Sequence, residues 1–133
     1  MKKSAGVLPF YGNSLHMLYD IDTELYSDFG GKKEESETQE ECAWREALEE
    51  GGFTETDVVE YYGEFRSDSY LCILVRLNKA PVPVSKNTEV RQVNNYNEIA
   101  NFRYSKVNGR LFIKELQRNI NMRMRRMQNH RLL

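Results

Sequence analysis

Three glutamates fall close together in the run Arg45-Glu46-Ala47-Leu48-Glu49-Glu50. On a helix, residues three and four apart share a face, so Glu46, Glu49 and Glu50 project together. Gln39 and Cys42 lie on the turns before them. Like-charge repulsion makes such a face costly. The cost disappears when a hard divalent cation sits among the carboxylates, and Mg²⁺ is typically held by a few carboxylates plus substrate phosphates. The pattern therefore points to a metal site that takes a phosphorylated ligand.

Acidic runs are more often solvated helix faces supported by i,i+4 pairs. The residues around this one argue for packing instead. Ala43, Ala47 and Leu48 lie opposite the glutamates, with Trp44 at the margin, and the small alanines allow close approach to a sheet. Gly30-Gly31 predicts a turn before the helix. Gly51-Gly52 fits a left-handed terminus after it, where glycine carries no Cβ penalty. Ser36 or Thr38 is the expected cap of a helix over 38–50.

The stretch from Gly31 to Phe53 resembles the Nudix box, G-x5-E-x7-R-E-U-x-E-E-x-G-U, with U a bulky apolar residue. Gly31, Glu37, Arg45, Glu46, Glu49, Glu50 and Gly52 occupy the fixed positions in register. Ala47 and Phe53 stand at the two U positions, one small and one aromatic. Many Nudix proteins read Leu-Pro-Gly-Gly at the box entrance. Here it is Asp28-Phe29-Gly30-Gly31, which loses the proline and keeps both glycines. The resemblance implies an α/β fold, the Nudix fold, with a mixed sheet between helices in an α/β/α sandwich. Periodicity alone gives only a mixture of helix and strand.

At 133 residues the chain is expected to be one domain, 1–133, long enough for a core without staples. Its net charge of −1 hides an asymmetry. Residues 1–102 hold 10 Lys and Arg against 19 Asp and Glu, whereas 103–133 hold 9 basic residues and only Glu115. An acidic body thus carries a basic tail. Cys42 and Cys72 read as buried thiols in a reducing compartment. The longest apolar run, Leu71 to Val75, is far below a membrane span, and no signal peptide is evident. These features predict a cytoplasmic protein with no membrane partner.

Residues 4–10 and 15–20 predict a hairpin about Gly12-Asn13-Ser14. A short strand over 25–29 runs into the glycine turn. Strands over 58–67, with Gly63 as a bulge, and over 69–77 are expected to be antiparallel neighbours. The loop 78–87, with Pro81 and Pro83, is expected to rim the pocket. A last strand covers 89–94 and a helical turn 97–100. Asn108 or Gly109 opens a basic helix over about 109–128. In it Phe112 or Ile113, Leu116, Ile120, Met124 and Met127 form an apolar stripe that reads as core.

The resemblance implies a divalent-metal-dependent pyrophosphohydrolase acting on a diphosphate linkage in a nucleoside diphosphate derivative. It makes Glu49 and Glu50 metal ligands, Glu46 a further ligand or the general base, and the carbonyl of Gly30 or Gly31 an added ligand. It makes Glu37 and Arg45 partners tying the loop to the helix. Mg²⁺ is the expected cofactor, with Mn²⁺ as the alternative. Glu89 is the candidate carboxylate from outside the box, with Glu98 its rival. Arg123 and Arg126, with Arg118, Arg125 and Arg131, are candidates for steering a polyanion such as RNA with a cap or triphosphate, or an inositol pyrophosphate. The same helix also reads as a charge balance for the body or as a homodimer contact. Tyr11, Tyr19, Phe65, Tyr70 and Tyr96 are the candidate base-stacking rings. A non-catalytic nucleotide- or RNA-binding module is the reading from another class, but such modules usually lose box carboxylates, and all three are present here.

Overall fold

The computed structural model describes the backbone of residues 3–93 and 110–131, and side chains over 3–93 and 117–127. Seven strands form one mixed sheet: β1 Ser4–Tyr11, β2 Ser14–Asp20, β3 Leu25–Ser27, β4 Phe29–Lys32, β5 Val58–Arg66, β6 Tyr70–Leu77 and β7 Thr88–Val93. Two helices, α1 Gln39–Gly51 and α2 Arg110–Arg131, complete the fold. A 3-10 turn at Glu55–Asp57 leads into β5. The expected turn over 97–100, Glu98, Tyr96, the opening at Asn108-Gly109 and the side chains of Phe112, Ile113, Leu116 and Arg131 lie outside the described residues.

β1 is the axis of the sheet. It runs parallel to β6 along its whole length, Ser4 opposite Tyr70 through Tyr11 opposite Leu77. Its other edge is shared. β4 pairs antiparallel with Ser4 to Val7, and β2 pairs with Phe10 and Tyr11 only. β1 and β2 therefore splay apart beyond the hairpin turn. Pro9, which has no N–H to donate, sits in the gap between the two partners. Strand β2 bonds β7 on one side and β3 on the other. The expected single strand over 25–29 is thus two short ones, broken at Asp28, where the chain leaves β2 and joins β1.

Both faces of β1 and β6 are covered, and both strands read as continuous apolar runs. Ala5, Val7, Leu71, Ile73 and Val75 face α1, packing with Cys42, Ala43 and Ala47. Leu8, Phe10, Cys72 and Leu74 face α2, packing with Ile120 and Met124. Burying each large apolar side chain contributes roughly 1.5–3 kcal/mol. The two cysteines lie on opposite sides of the sheet as free, buried thiols. β5 and β6 are antiparallel, with the ladder slipping at Gly63, which has φ +138°. A second slip, between Val58 and Glu60, has no glycine to announce it. Among the described residues no helix is long and apolar enough to cross a membrane.

Candidate active site

Helix α1 starts where its capping chemistry dictates. Thr38 Oγ1 accepts from Glu41 N at 3.1 Å, and Glu41 Oε1 accepts from Thr38 N at 2.8 Å. This reciprocal box satisfies two backbone donors at the N-terminus, so Thr38, not Ser36, is the cap. At the other end Gly52 is left-handed, φ +67°, and its N–H returns to Leu48 O at 3.1 Å. The buried stripe is Cys42, Ala43, Ala47 and Gly51. A methyl group on Gly51 would meet the rings of Phe29 and Phe53 within 3 Å, so the helix end is locked against both rings. Leu48, expected on this packed side, is 53% exposed. Residues four apart, 43, 47 and 51, set the stripe, and 48 lies a further step around the helix.

Gly30 and Gly31 do not form the expected turn. Both belong to β4, opposite Gly6 and Ala5 of β1. They are glycines because of close approach. A Cβ on Gly30 would lie 2.6 Å from Ala5 O, and one on Gly31 would lie 2.7 Å from the Glu46 carboxylate. The strand and the acidic face of α1 are thereby pressed together. Gly30 N donates to Glu50 Oε2 at 3.2 Å, and Cys42 Sγ donates to Gly31 O at 3.5 Å. Burial pushes the Cys42 thiol up to about 11, so it stays protonated at neutral pH.

Arg45 organises the carboxylates. Its Nε and Nη2 bind the two oxygens of Glu37 at 2.9 and 2.7 Å, and Nη2 also donates to Lys32 O at 3.0 Å. Nη1 reaches Glu46 Oε1 at 3.0 Å and Glu49 Oε2 at 3.1 Å. The expected tie between loop and helix is present, and Arg45 in addition touches two of the three acidic residues. Hydrogen bonds from Arg45 hold the Glu37 carboxyl down at about 2. Glu46 behaves differently. Burial raises it, against the pull of Arg45, and its side chain is only 12% exposed. Glu49 is 55% exposed, with Arg45 as its ion-pair partner at 3.1 Å.

The donors gathered here, three carboxylates beside a glycine backbone, are hard oxygens and suit Mg²⁺ or Mn²⁺. Glu46 and Glu49 turn toward Arg45, and Glu50 toward Gly30. Among the described residues no three carboxylate, histidine or thiol groups form a ready cation cluster. A cavity of about 380 Å³ adjoins this end of the helix, lined by Asp20, Ser27, Glu50, Lys86, Asn87 and Thr88. Ser85, Lys86 and Asn87, at the end of the loop 78–87, line this cavity.

The structure does not bring every candidate to this site. Glu89 was expected on the loop side of its strand. It is instead the second residue of β7, opposite Tyr19, and pairs with Arg91 at 3.1 Å. Val90, its neighbour, packs on the α1 side, so alternation turns Glu89 to the other face. Arg123 and Arg126 lie on α2, across the sheet from α1. Of the candidate rings, Tyr70 is buried and donates to Asp28, Tyr19 lies 3.5 Å beneath Arg91, and Tyr11 is partly exposed against His16. Sequence reasoning missed the role of Asp28. It is fully buried behind β4 and is hydrogen-bonded by Tyr70, and a side chain at Gly6 would collide with it. The departure from Leu-Pro therefore supplies a buried polar anchor at the strand break. The signal was an acidic residue inside an otherwise strand-like stretch.

The NUDIX domain model matches residues 19–114. No curated protein sequence matches. Among solved structures, a C. elegans Ap4A hydrolase binary complex is similar at 13% identity and TM-score 0.68, covering 92% of this chain and 96% of that one. A MutT structure from work on Aliivibrio salmonicida and Vibrio cholerae is similar at 20% identity and TM-score 0.61, covering 87% and 95%. A Francisella tularensis bifunctional NMN adenylyltransferase/ADP ribose pyrophosphatase, complexed with AMP and a Mn ion, is similar at 15% identity and TM-score 0.58, covering 76% of this chain and 37% of that one. With the box residues assembled on α1 and β4 in one α/β architecture, and with the domain model spanning most of the chain, the protein belongs to the Nudix hydrolase family.

Proposed function

We propose that the chain is a divalent-metal-dependent pyrophosphohydrolase that cleaves a diphosphate linkage in a nucleoside diphosphate derivative. The observation that carries this reading is the intact acidic face, Glu46, Glu49 and Glu50, pressed against the glycine strand and adjoining a cavity that contains Glu50. The similar structures are in keeping with it, since their names include an Ap4A hydrolase and an ADP ribose pyrophosphatase that held AMP and Mn.

Glu49 and Glu50 would hold the ion, with Glu46 and the Gly31 carbonyl beside them. A bound Mg²⁺ or Mn²⁺ supplies screening of the diphosphate charge and makes water more acidic. The chain's own groups do the rest. Glu49, exposed and joined to Arg45 by one contact, would turn from it toward the ion. Arg45 keeps Glu46 Oε1 engaged at 3.0 Å, which leaves Oε2 to accept the proton of the attacking water. Water oxygen bonds to phosphorus as the bridging P–O bond breaks and its electrons leave with the departing phosphate. Lys86, on the cavity rim, offers a positive charge to the phosphate chain.

The test is a Mg²⁺- and Mn²⁺-dependent hydrolysis screen with product analysis. The panel holds nucleoside triphosphates, dinucleoside polyphosphates, ADP-ribose and other nucleotide sugars, capped RNA and inositol pyrophosphates. Turnover of a nucleoside diphosphate derivative, lost in Glu49→Gln, is the expected result. Metal-independent turnover, or full activity in the variant, would overturn the reading.

A further inference from the structure

At the far end of β1 a second cavity, of about 300 Å³, opens between the β1–β2 turn, strands β5 and β6, and α2. Gly31 pairs with Ala5 near the start of β1, and Gly12 follows its end. About seven residues, or ~23 Å of strand, separate the two places. The lining includes Gly12, Tyr62, Arg76, Arg123 and Arg126, with Glu60. It lies on the α2 side of the sheet, since Tyr62 packs with the Phe10, Ile120 and Met124 cluster.

The charges do not cancel. Arg76 is occupied by Glu60, whose Oε1 accepts from Nε at 3.2 Å and from Nη2 at 2.8 Å. Arg123 stands over the Tyr62 ring, 4.5 Å from its centroid. That contact orients the guanidinium without neutralising it. Arg126 is exposed. Among the described residues neither Arg123 nor Arg126 is ion-paired. Three guanidiniums thus face one cavity with one carboxylate, on a body that is otherwise acidic.

Guanidinium forks match phosphate oxygens with two parallel donors. Holding Arg123 on Tyr62 beforehand lowers the ordering cost of binding. The volume is at the small end of ligand pockets and suits a phosphate group or short phosphate chain. We propose that this cavity is an anion site for a phosphate-bearing ligand, formed by Arg76, Arg123 and Arg126 and separate from the carboxylates of α1. The phosphate arrives either on a small molecule or as the backbone of a single-stranded RNA.

The experiment follows backbone amide NMR shifts of the full chain in EDTA, with inorganic tripolyphosphate as the probe. Without metal, the acidic face of α1 repels the probe. The expected result is saturable shifts at Gly12 and Tyr62, about tenfold weaker binding in Arg126→Ala, and unchanged binding in Glu49→Gln. Arg123→Lys keeps the charge and loses the fork, and it weakens binding too; circular dichroism checks that each variant is folded. Shifts confined to residues around Glu46, no shift at millimolar probe, or equal affinity in Arg126→Ala would each overturn the proposal. A short oligoribonucleotide is titrated in parallel. Saturation well below the tripolyphosphate concentration, with the same Arg126 dependence, identifies an RNA strand as the source. Saturation at a similar concentration identifies a small phosphorylated molecule.

Discussion

Arg45 and Glu37 are joined by two nearly parallel hydrogen bonds, Nε to Oε2 at 2.9 Å and Nη2 to Oε1 at 2.7 Å. The pair closes the loop after β4 onto the second turn of α1, and the rest of the guanidinium then reaches Glu46 and Glu49. Loop closure and carboxylate placement therefore depend on one side chain. The Glu37 carboxyl is held at about 2 by these bonds, against an ordinary value of 4.5. A carboxylate with a depressed folded value stabilises the fold above its unfolded value and loses that contribution as pH falls toward the folded one. The melting temperature of Glu37→Gln is expected to lie below that of the wild type above pH 5, with the gap narrowing between pH 4.5 and about 2. A gap that stays constant over this range would show that the charge of Glu37 does not hold the loop.

Gly31 lies where a side chain would intrude on the Glu46 carboxylate. A Cβ there meets Glu46 Cδ and Oε1 at 2.7 Å. The carboxylate is the far end of a flexible chain, so it moves rather than the backbone, and the fold survives. Small displacements of reacting groups are expensive in rate. Gly31→Ala is expected to keep the wild-type circular dichroism spectrum and to lose roughly 10- to 100-fold in kcat. Wild-type kcat in this variant would mean that Glu46 has no fixed position in turnover.

Asp28 and Tyr70 make the buried contact behind the strand break, and Tyr70 is only 6% exposed. Removing a donor from a buried acceptor costs about 1–3 kcal/mol. Tyr70→Phe conserves the ring and removes the donor. A loss of that size in urea denaturation, with an unchanged urea dependence of the slope, is expected. No loss would show that Asp28 is satisfied without the tyrosine.

Local signals were legible in the sequence, and partner choice was not. The helix ends were legible because capping residues and a left-handed glycine act within a few positions, as Thr38, Glu41 and Gly52 do. The tie between Glu37 and Arg45 was legible because the box fixes their spacing. Gly30 and Gly31 were misread as a turn, because their need for glycine comes from Ala5, Gly6 and Glu46, which are distant in sequence. The break at Asp28 depends on β1 and β2 splaying, which no local pattern records. Glu89 falls inside its expected strand, and the face it reaches follows from Val90 packing on the α1 side, which the run 89–94 does not announce. In a strand, the parity of a position decides which face it reaches.

Glu50 has two duties that glutamine and alanine substitutions together separate. It belongs to the acidic face, and its Oε2 also accepts from Gly30 N at 3.2 Å, which fastens the C-terminal half of α1 to β4. Glutamine keeps an acceptor oxygen of the same reach but loses the charge. Alanine loses both. Both variants are therefore expected to lose hydrolysis, and only Glu50→Ala to lose stability, by about 1–3 kcal/mol in urea denaturation. A stable, inactive Glu50→Gln assigns the charge to chemistry and the hydrogen bond to structure. An unstable Glu50→Gln would mean that the strand needs the carboxylate charge itself, and loss of activity in either variant would then report on folding rather than on the site.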